Sequence, residues 1–182
     1  LDKWIEIDKD ISCRFHYNGH ILGATFIELK IGMKTIIFSG DIGREKDLLM
    51  FPPQKPEHAD VIIIESTYGD RHHPDDAAEK LEEIVNTCIN RKGTLIIPSF
   101  AVERTQTLMY LLWTLKKNNR IPDIPVYMDS PMGTNVLNVF EHTTSWHRLS
   151  AMDCQHMCKD IKLIKTIQET YKLAASPLPK II

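Results

Sequence analysis

Net charge of either sign is nearly absent from this chain. Its 22 lysines and arginines stand against 24 aspartates and glutamates, which leaves −2 at neutral pH. No global basic field therefore announces a nucleic-acid partner, although a local basic site stays open, because phosphate binding depends on where the charge sits. Long apolar runs are missing too: none approaches the roughly 20 residues that span a bilayer. The opening LDKWIEIDKD carries charge throughout, so these residues are not expected to form a secretory leader. Cysteine is scarce. Cys13, Cys88, Cys154 and Cys158 make no disulfide framework for a chain this long, so a reducing, cytoplasmic setting is expected. There is no internal repeat and no low-complexity segment. What remains is 43% hydrophobic and 25% charged over 182 residues, a soluble globular composition long enough for one sizeable domain or parts of two. No methionine opens the chain, and its end, SPLPKII, reads as the start of a strand, so a piece of a longer protein is expected.

Periodicity divides the chain. ISCRFHY (11–17) reads as a short strand. ATFIELKI and KTIIFSG alternate or run apolar around IGMK, a hairpin signal with Gly32 supplying the turn. DLLMFPPQKPEHAD is a proline-broken connector, and VIIIE (61–65) is a continuous apolar run, as a strand buried on both faces would be. Beyond Gly69 the pattern turns helical. PDDAAEKLEEIVNTCINRKG places Ala78, Leu81, Ile84, Val85, Cys88 and Ile89 on one face, with acids in the first turn and Gly93 closing it. TLIIPSF, PVYMDS, IKLIK and KII read as strands. ERTQTLMYLLWTLKKNN, GTNVLNVFEHT and TIQETYKLAAS read as helices between them. Such alternation predicts a parallel α/β sheet. Residues 1–66 are expected to be mainly β, and residues 67–182 a βαβ domain.

If the hairpin strands pair around Gly32, partner positions sum to about 64. Asp41 then faces the region of Gly23, close to His20, at the open end of the hairpin. An imidazole and a carboxylate converging at strand ends are two of the ligands that zinc accepts, and Gly19 and Gly40 would let backbone approach a metal closely. A loop histidine beside a turn aspartate explains the same spacing, and two ligands do not make a site.

GHILGA, then FSGD with its aspartate 21 residues after the histidine, then IIIESTYGDR with its glutamate 24 residues later, resemble the metallo-β-lactamase superfamily. IPSFAVERTQ and YMDSPM narrow the resemblance to the β-CASP nucleases, which include the endonuclease subunit of the mRNA 3′-end cleavage complex; AVERTQ and DSPMGTNV look closest to its bacterial branch. It runs from about residue 11 to the C-terminus, apart from about 142–160. The fold it implies is α/β: the C-terminal part of a metallo-β-lactamase αββα sandwich, then a β-CASP parallel α/β domain. His20 matches a metal-ligand position and Asp41 a carboxylate that bridges two zinc ions. Asp41 and Glu65 take catalytic positions, Glu65 orienting a histidine that protonates the leaving oxygen. The implied activity is zinc-dependent hydrolysis of single-stranded RNA, internally or from an end, in an assembly that admits a homodimer. The HxHxDH signature and the later β-CASP histidines do not occur between Leu1 and Ile182. The chain alone is therefore expected to hold zinc weakly, if at all, and to leave RNA uncut.

Loops after parallel strands gather where ligands bind. Ser99 and Arg104 in PSFAVERTQ, and Asp129 and Ser130 in DSPMGT, are candidates for backbone phosphates of RNA or for a partner domain. Helix capping accounts for both serines equally well. Arg71, His72 and His73 either line a cleft or lie in a solvated loop. CQHMC (154–158), if helical, turns its two cysteines to one face and His156 away, which favours packing over metal binding. LKKNNR reads as a solvated helix end, Trp113 as core, and Trp146 as a ring able to stack on a base. Two rivals remain: a non-catalytic β-CASP subunit that binds RNA or a partner, and a nucleotide- or small-molecule-binding α/β domain with a closed pocket at residues 99–104.

Overall fold

A computed structural model of the chain describes residues 1–71 and 76–182. The described residues form two compact units, one of residues 1–71 with Ser145–Arg148, the other of residues 76–144 with Leu149–Ile182. His72 and His73 lie outside the described residues.

The first unit is a sheet of β1 (Ile5–Asp8), β2 (Ile11–Tyr17), β3 (Thr25–Ile31), β4 (Lys34–Phe38) and β5 (Val61–Ile63), in that spatial order. Neighbours are antiparallel except β4 and β5, which are parallel. The hairpin is where the pattern put it. Ile31 pairs with Lys34 and Ile27 with Phe38, and Gly32 takes φ +56°, the positive φ wanted at the first position of a two-residue turn. β1 was not foreseen; its four residues are all exposed. β5 departs from expectation. Val61, Ile62 and Ile63 are about half exposed rather than buried on both faces: their side chains alternate between the two faces of the sheet, and neither face is fully covered at this outermost strand.

Register explains the polar cluster on one face of this sheet. Arg14 lies opposite Glu28 and His16 opposite Phe26. The His16 ring stacks on Phe26 with centroids 4.6 Å apart. Its nitrogens reach carboxylate oxygens of Asp2 and Glu28, each at 2.8 Å. Leu49, Met50 and His147 are buried, with a bridge between Met50 and His147. Trp146 is half-buried against Tyr17, centroids 6.2 Å apart, so its ring has a packing partner inside the unit.

The second unit runs α1 (Ala77–Asn90), β6 (Thr94–Leu95), α2 (Arg104–Lys117), β7 (Val126–Met128), α3 (Pro131–His142), α4 (Ala151–Lys159), β8 (Ile161–Leu163), α5 (Ile167–Ala175) and β9 (Lys180–Ile181). Its strands are parallel in the order β6-β9-β7-β8, so the fold is α/β as the alternation predicted. Leu81 and Val85 of α1 are buried while Ile84 is exposed, a narrower apolar stripe than expected. α4 buries Cys154 and exposes His156. None of the four cysteines, all of them among the described residues, forms a disulfide. Trp113 is only half-buried, with Lys117 Nζ 4.6 Å over its ring.

The end of α2 is not simply solvated. Lys116, its side chain 10% exposed, bonds Asp160 at 2.9 Å, and Arg120 pairs with Glu82 of α1. A lysine drawn in against a half-buried carboxylate leaves that carboxylate stranded when removed. Lys116→Met is expected to destabilise the unit by about 1 kcal/mol, since one partner stays partly solvated. Asp160→Asn on top of it should add less than it does alone. Urea unfolding of the two single variants and the double variant measures this, and strict additivity would remove the pair from the account.

Candidate functional site

The open end of the β3–β4 hairpin gathers His20, Asp41 and Glu65. The register sum is 65 rather than 64, which aligns Asp41 with Ala24. His20 Nε2 stands 3.8 Å from Asp41 Oδ2, with the side chains 43% and 74% exposed. Both donors therefore face solvent together, beyond hydrogen-bonding distance of each other. Among the described residues no group of three or more His, Cys, Asp or Glu side chains is arranged to hold a metal ion. The pair fits a cation by donor chemistry, one imidazole nitrogen and one carboxylate oxygen, as half of a four-coordinate shell.

The backbone around the pair is tied by residues that carry no metal chemistry. Glu65 Oε1 accepts the Ile42 amide at 2.5 Å, and the Glu65 amide donates to Ser39 Oγ at 3.0 Å. The carboxylate thus sits one residue from Asp41. Asn18, 2% exposed, bonds the segments of both His20 and Asp41. Gly43 packs face to face with the Gly19–His20 peptide; a Cβ there would fall 2.0 Å from the Gly19 carbonyl carbon and oxygen. Sequence reasoning missed Asn18, Ser39 and Gly43. The signal was present in NGH and SGDIG, but small polar residues beside glycine read first as turn formers.

The phosphate candidates lie in the second unit. Ser99 Oγ is 2.7 Å from Thr105 Oγ1. Ser130 Oγ accepts the Gly133 amide at 3.0 Å, with Pro131 in the first turn, as the N-cap of α3. Asp129 accepts the Thr170 hydroxyl at 3.0 Å. Ser99, Asp129 and Ser130 share the mouth of a largely apolar cavity of about 470 Å³ beside the carboxyl ends of β6 and β7. Arg104 opens α2, exposed and outside that lining. It follows Glu103 at φ +67°, where Arg104 N donates to Val102 O at 2.9 Å, a strained three-residue turn. Buried Gln106 fixes that turn, accepting from Glu103 N and donating to Ala101 O. Arg71 lies over the Tyr68 ring, 5.2 Å from its centroid.

Comparison with known proteins bears on both groups. Residues 105–182 match the Beta-Casp domain model. The chain is 37% identical over 141 residues to ribonuclease TTHA0252 of Thermus thermophilus, covering 76% of the chain and 32% of that protein. It is 37% identical over 131 residues to transcription termination factor FttA of Methanosarcina mazei, covering 68% and 21%. Against cleavage and polyadenylation specificity factor 73 of Drosophila melanogaster it is 32% identical over 132 residues, covering 68% and 19%. The chain spans about a third or less of the length of these relatives.

Proposed function

The chain belongs to the β-CASP group of the metallo-β-lactamase superfamily, and from that premise we propose that it is part of a zinc-dependent phosphodiester hydrolase acting on single-stranded RNA. His20 and Asp41 are its metal ligands here, Asp41 and Glu65 its catalytic residues, and Ser99, Arg104 and Ser130 its contacts to backbone phosphates. The observation that carries the reading is the convergence of His20 and Asp41 at 3.8 Å on the open end of one hairpin. Two of the three relatives compared are named a ribonuclease and a cleavage factor, which supports RNA over a lactam or thioester. The ions, when bound, would activate water and stabilise both oxygens of a phosphodiester displacement.

This chain's own residues would do the rest. Asp41 would offer carboxylate oxygens to a bound cation beside His20. Glu65 holds the strand end beside Asp41, and its carboxylate would favour, in an imidazole brought beside it, the protonated form that a general acid needs. Arg104 offers a planar fork of donors to a phosphate. A cytoplasmic setting and a homodimer complete the reading; separately, no helix among the described residues is long and apolar enough to cross a membrane.

The chain alone is expected to carry well under one zinc per molecule and to leave labelled single-stranded RNA uncut. Extended along its own gene in both directions, it is expected to cleave, with Asp41→Ala reducing the rate by about 10³-fold. Two stoichiometric zinc ions on the isolated chain would refute the half-site. Zinc without cleavage in the extended chain would transfer the protein to the non-catalytic subunits.

A further inference from the structure

We propose that Asn18 is a positioning residue that sets His20 against Asp41, an inference that rests on the metal-ligand reading of that pair. His20 and Asp41 lie on different segments, both side chains face solvent, and at 3.8 Å neither holds the other. Their separation is therefore fixed by backbone. The group that joins the two backbones is the buried Asn18 carboxamide. Its Nδ2 donates to the carbonyl of Asp41 at 2.8 Å and to that of Ser39 at 3.3 Å. Its Oδ1 accepts the amide of His20 at 3.2 Å. The main chain repeats the connection: Asn18 N donates to Ala24 O at 3.3 Å, and Gly43 N donates to Asn18 O at 2.9 Å.

The chemistry demanded here is narrow. Two carbonyls can only accept and one amide can only donate, so the side chain between them must present a donor pair and an acceptor on one planar group. Aspartate would set oxygen against two carbonyl oxygens, and leucine or alanine would take the side-chain partner from all three backbone groups. Glu65 does not substitute for it, because its bonds run to Ile42 and Ser39, which both belong to the Asp41 segment. Among the side-chain bonds of the described residues, those of Asn18 bridge the two ligand segments. Groups that orient ligands in this way change metal affinity by about 10- to 100-fold when removed.

The test is zinc titration of the 182-residue chain, followed by the imidazole nitrogen resonances of its eight histidines, with His20 assigned through His20→Ala. In the same samples, amide hydrogen exchange reads the His20 N–H directly. Asn18→Ala is expected to weaken zinc at His20 at least tenfold and to speed exchange of the His20 amide by a similar factor. Asn18→Asp fills the same volume and keeps the acceptor for His20. It is expected to leave that amide protected yet still weaken zinc, and it replaces the alanine variant if the latter fails to fold. Asp41→Ala serves as the reference for loss of a ligand. If Asp41→Ala abolishes the zinc response while both Asn18 variants bind within twofold of the unmodified chain, the positioning role is overturned and the ligand pair stands. If zinc moves no His20 resonance in the unmodified chain, the titration is repeated on the chain extended along its own gene, and silence there fails the ligand pair and this inference with it.

Discussion

Gly43→Ala is expected to lower the thermal unfolding midpoint of the first unit by about 15 °C, the equivalent of about 3 kcal/mol in a unit of this size. The cause is contact, not conformation. Gly43 has no positive φ, so an alanine there meets no backbone penalty of its own. Its Cβ would instead fall 2.0 Å from the carbonyl carbon and oxygen of Gly19 and 2.6 Å from the amide nitrogen of His20. These are main-chain atoms and cannot swing aside as a flexible side chain would. Gly19 cannot retreat either, because a Cβ at that position would already stand 2.6 Å from the carbonyl oxygen of Phe51. The segment carrying Asp41 must lift off the segment carrying His20, breaking the Gly43–Asn18 hydrogen bond and separating the two ligands. Gly23→Ala is the matched control. It has open space around the added carbon but φ +84°, so it should lose only the conformational term of about 1 kcal/mol. Thermal unfolding followed by far-ultraviolet circular dichroism ranks the two. A midpoint for Gly43→Ala at or above that of Gly23→Ala would mean that the two backbones do not touch.

Much of this arrangement could be read from the chain. The hairpin announced itself through two apolar alternations around Gly32, and its register put His20 and Asp41 at one end to within a residue. The βαβ alternation expected over residues 67–182 came from periodicity, and capping was one reading of Ser130, which does cap α3. Three things were not legible, each for a physical reason. β5 has the continuous apolar composition of a buried strand, yet composition does not say what packs against its two faces, and neither is fully covered. Lys116 sits in a polar run at a helix end, and only the fold brings Asp160 to it across 44 residues. Asn18 and Gly43 act through backbone atoms, and local sequence does not specify which backbone atoms a buried amide will meet. The side chains proposed to carry chemistry were named from the sequence; those that hold their backbone in place, Asn18 and Gly43, were not.

Replacement of Glu28 by glutamine is expected to destabilise the first unit by about 3 kcal/mol at neutral pH and to remove part of its sensitivity to acid. Glu28 is 5% exposed, and one of its oxygens accepts Arg14 Nε at 2.6 Å and faces His16 Nε2 at 2.8 Å. Burial is the largest influence on its carboxyl and pushes the pKa up. The hydrogen bonds and attraction of Arg14 and His16 together outweigh burial, and the group titrates below its ordinary value. The sign follows from linkage. A carboxyl whose pKa is lower folded than unfolded adds stability at pH above its unfolded value, about 4.3, and surrenders it as pH falls through the folded value. The unmodified chain should therefore lose stability steeply below about pH 4.3, while Glu28→Gln, with nothing to protonate at that position, falls more gently. The neutral-pH loss is set at the lower end of the range for breaking a buried pair, because the amide oxygen of glutamine still accepts from Arg14. Asp60 and Glu169, whose carboxyls are also held low by backbone amides and neighbouring cations, contribute to the acid limb of both proteins and cancel in the difference. Urea unfolding at half-unit steps from pH 3 to 7 gives that difference directly. A gap that closes below about pH 4 places the charged Glu28 at the centre of the network. A gap of constant size would show that the network needs the shape of the side chain and not its charge.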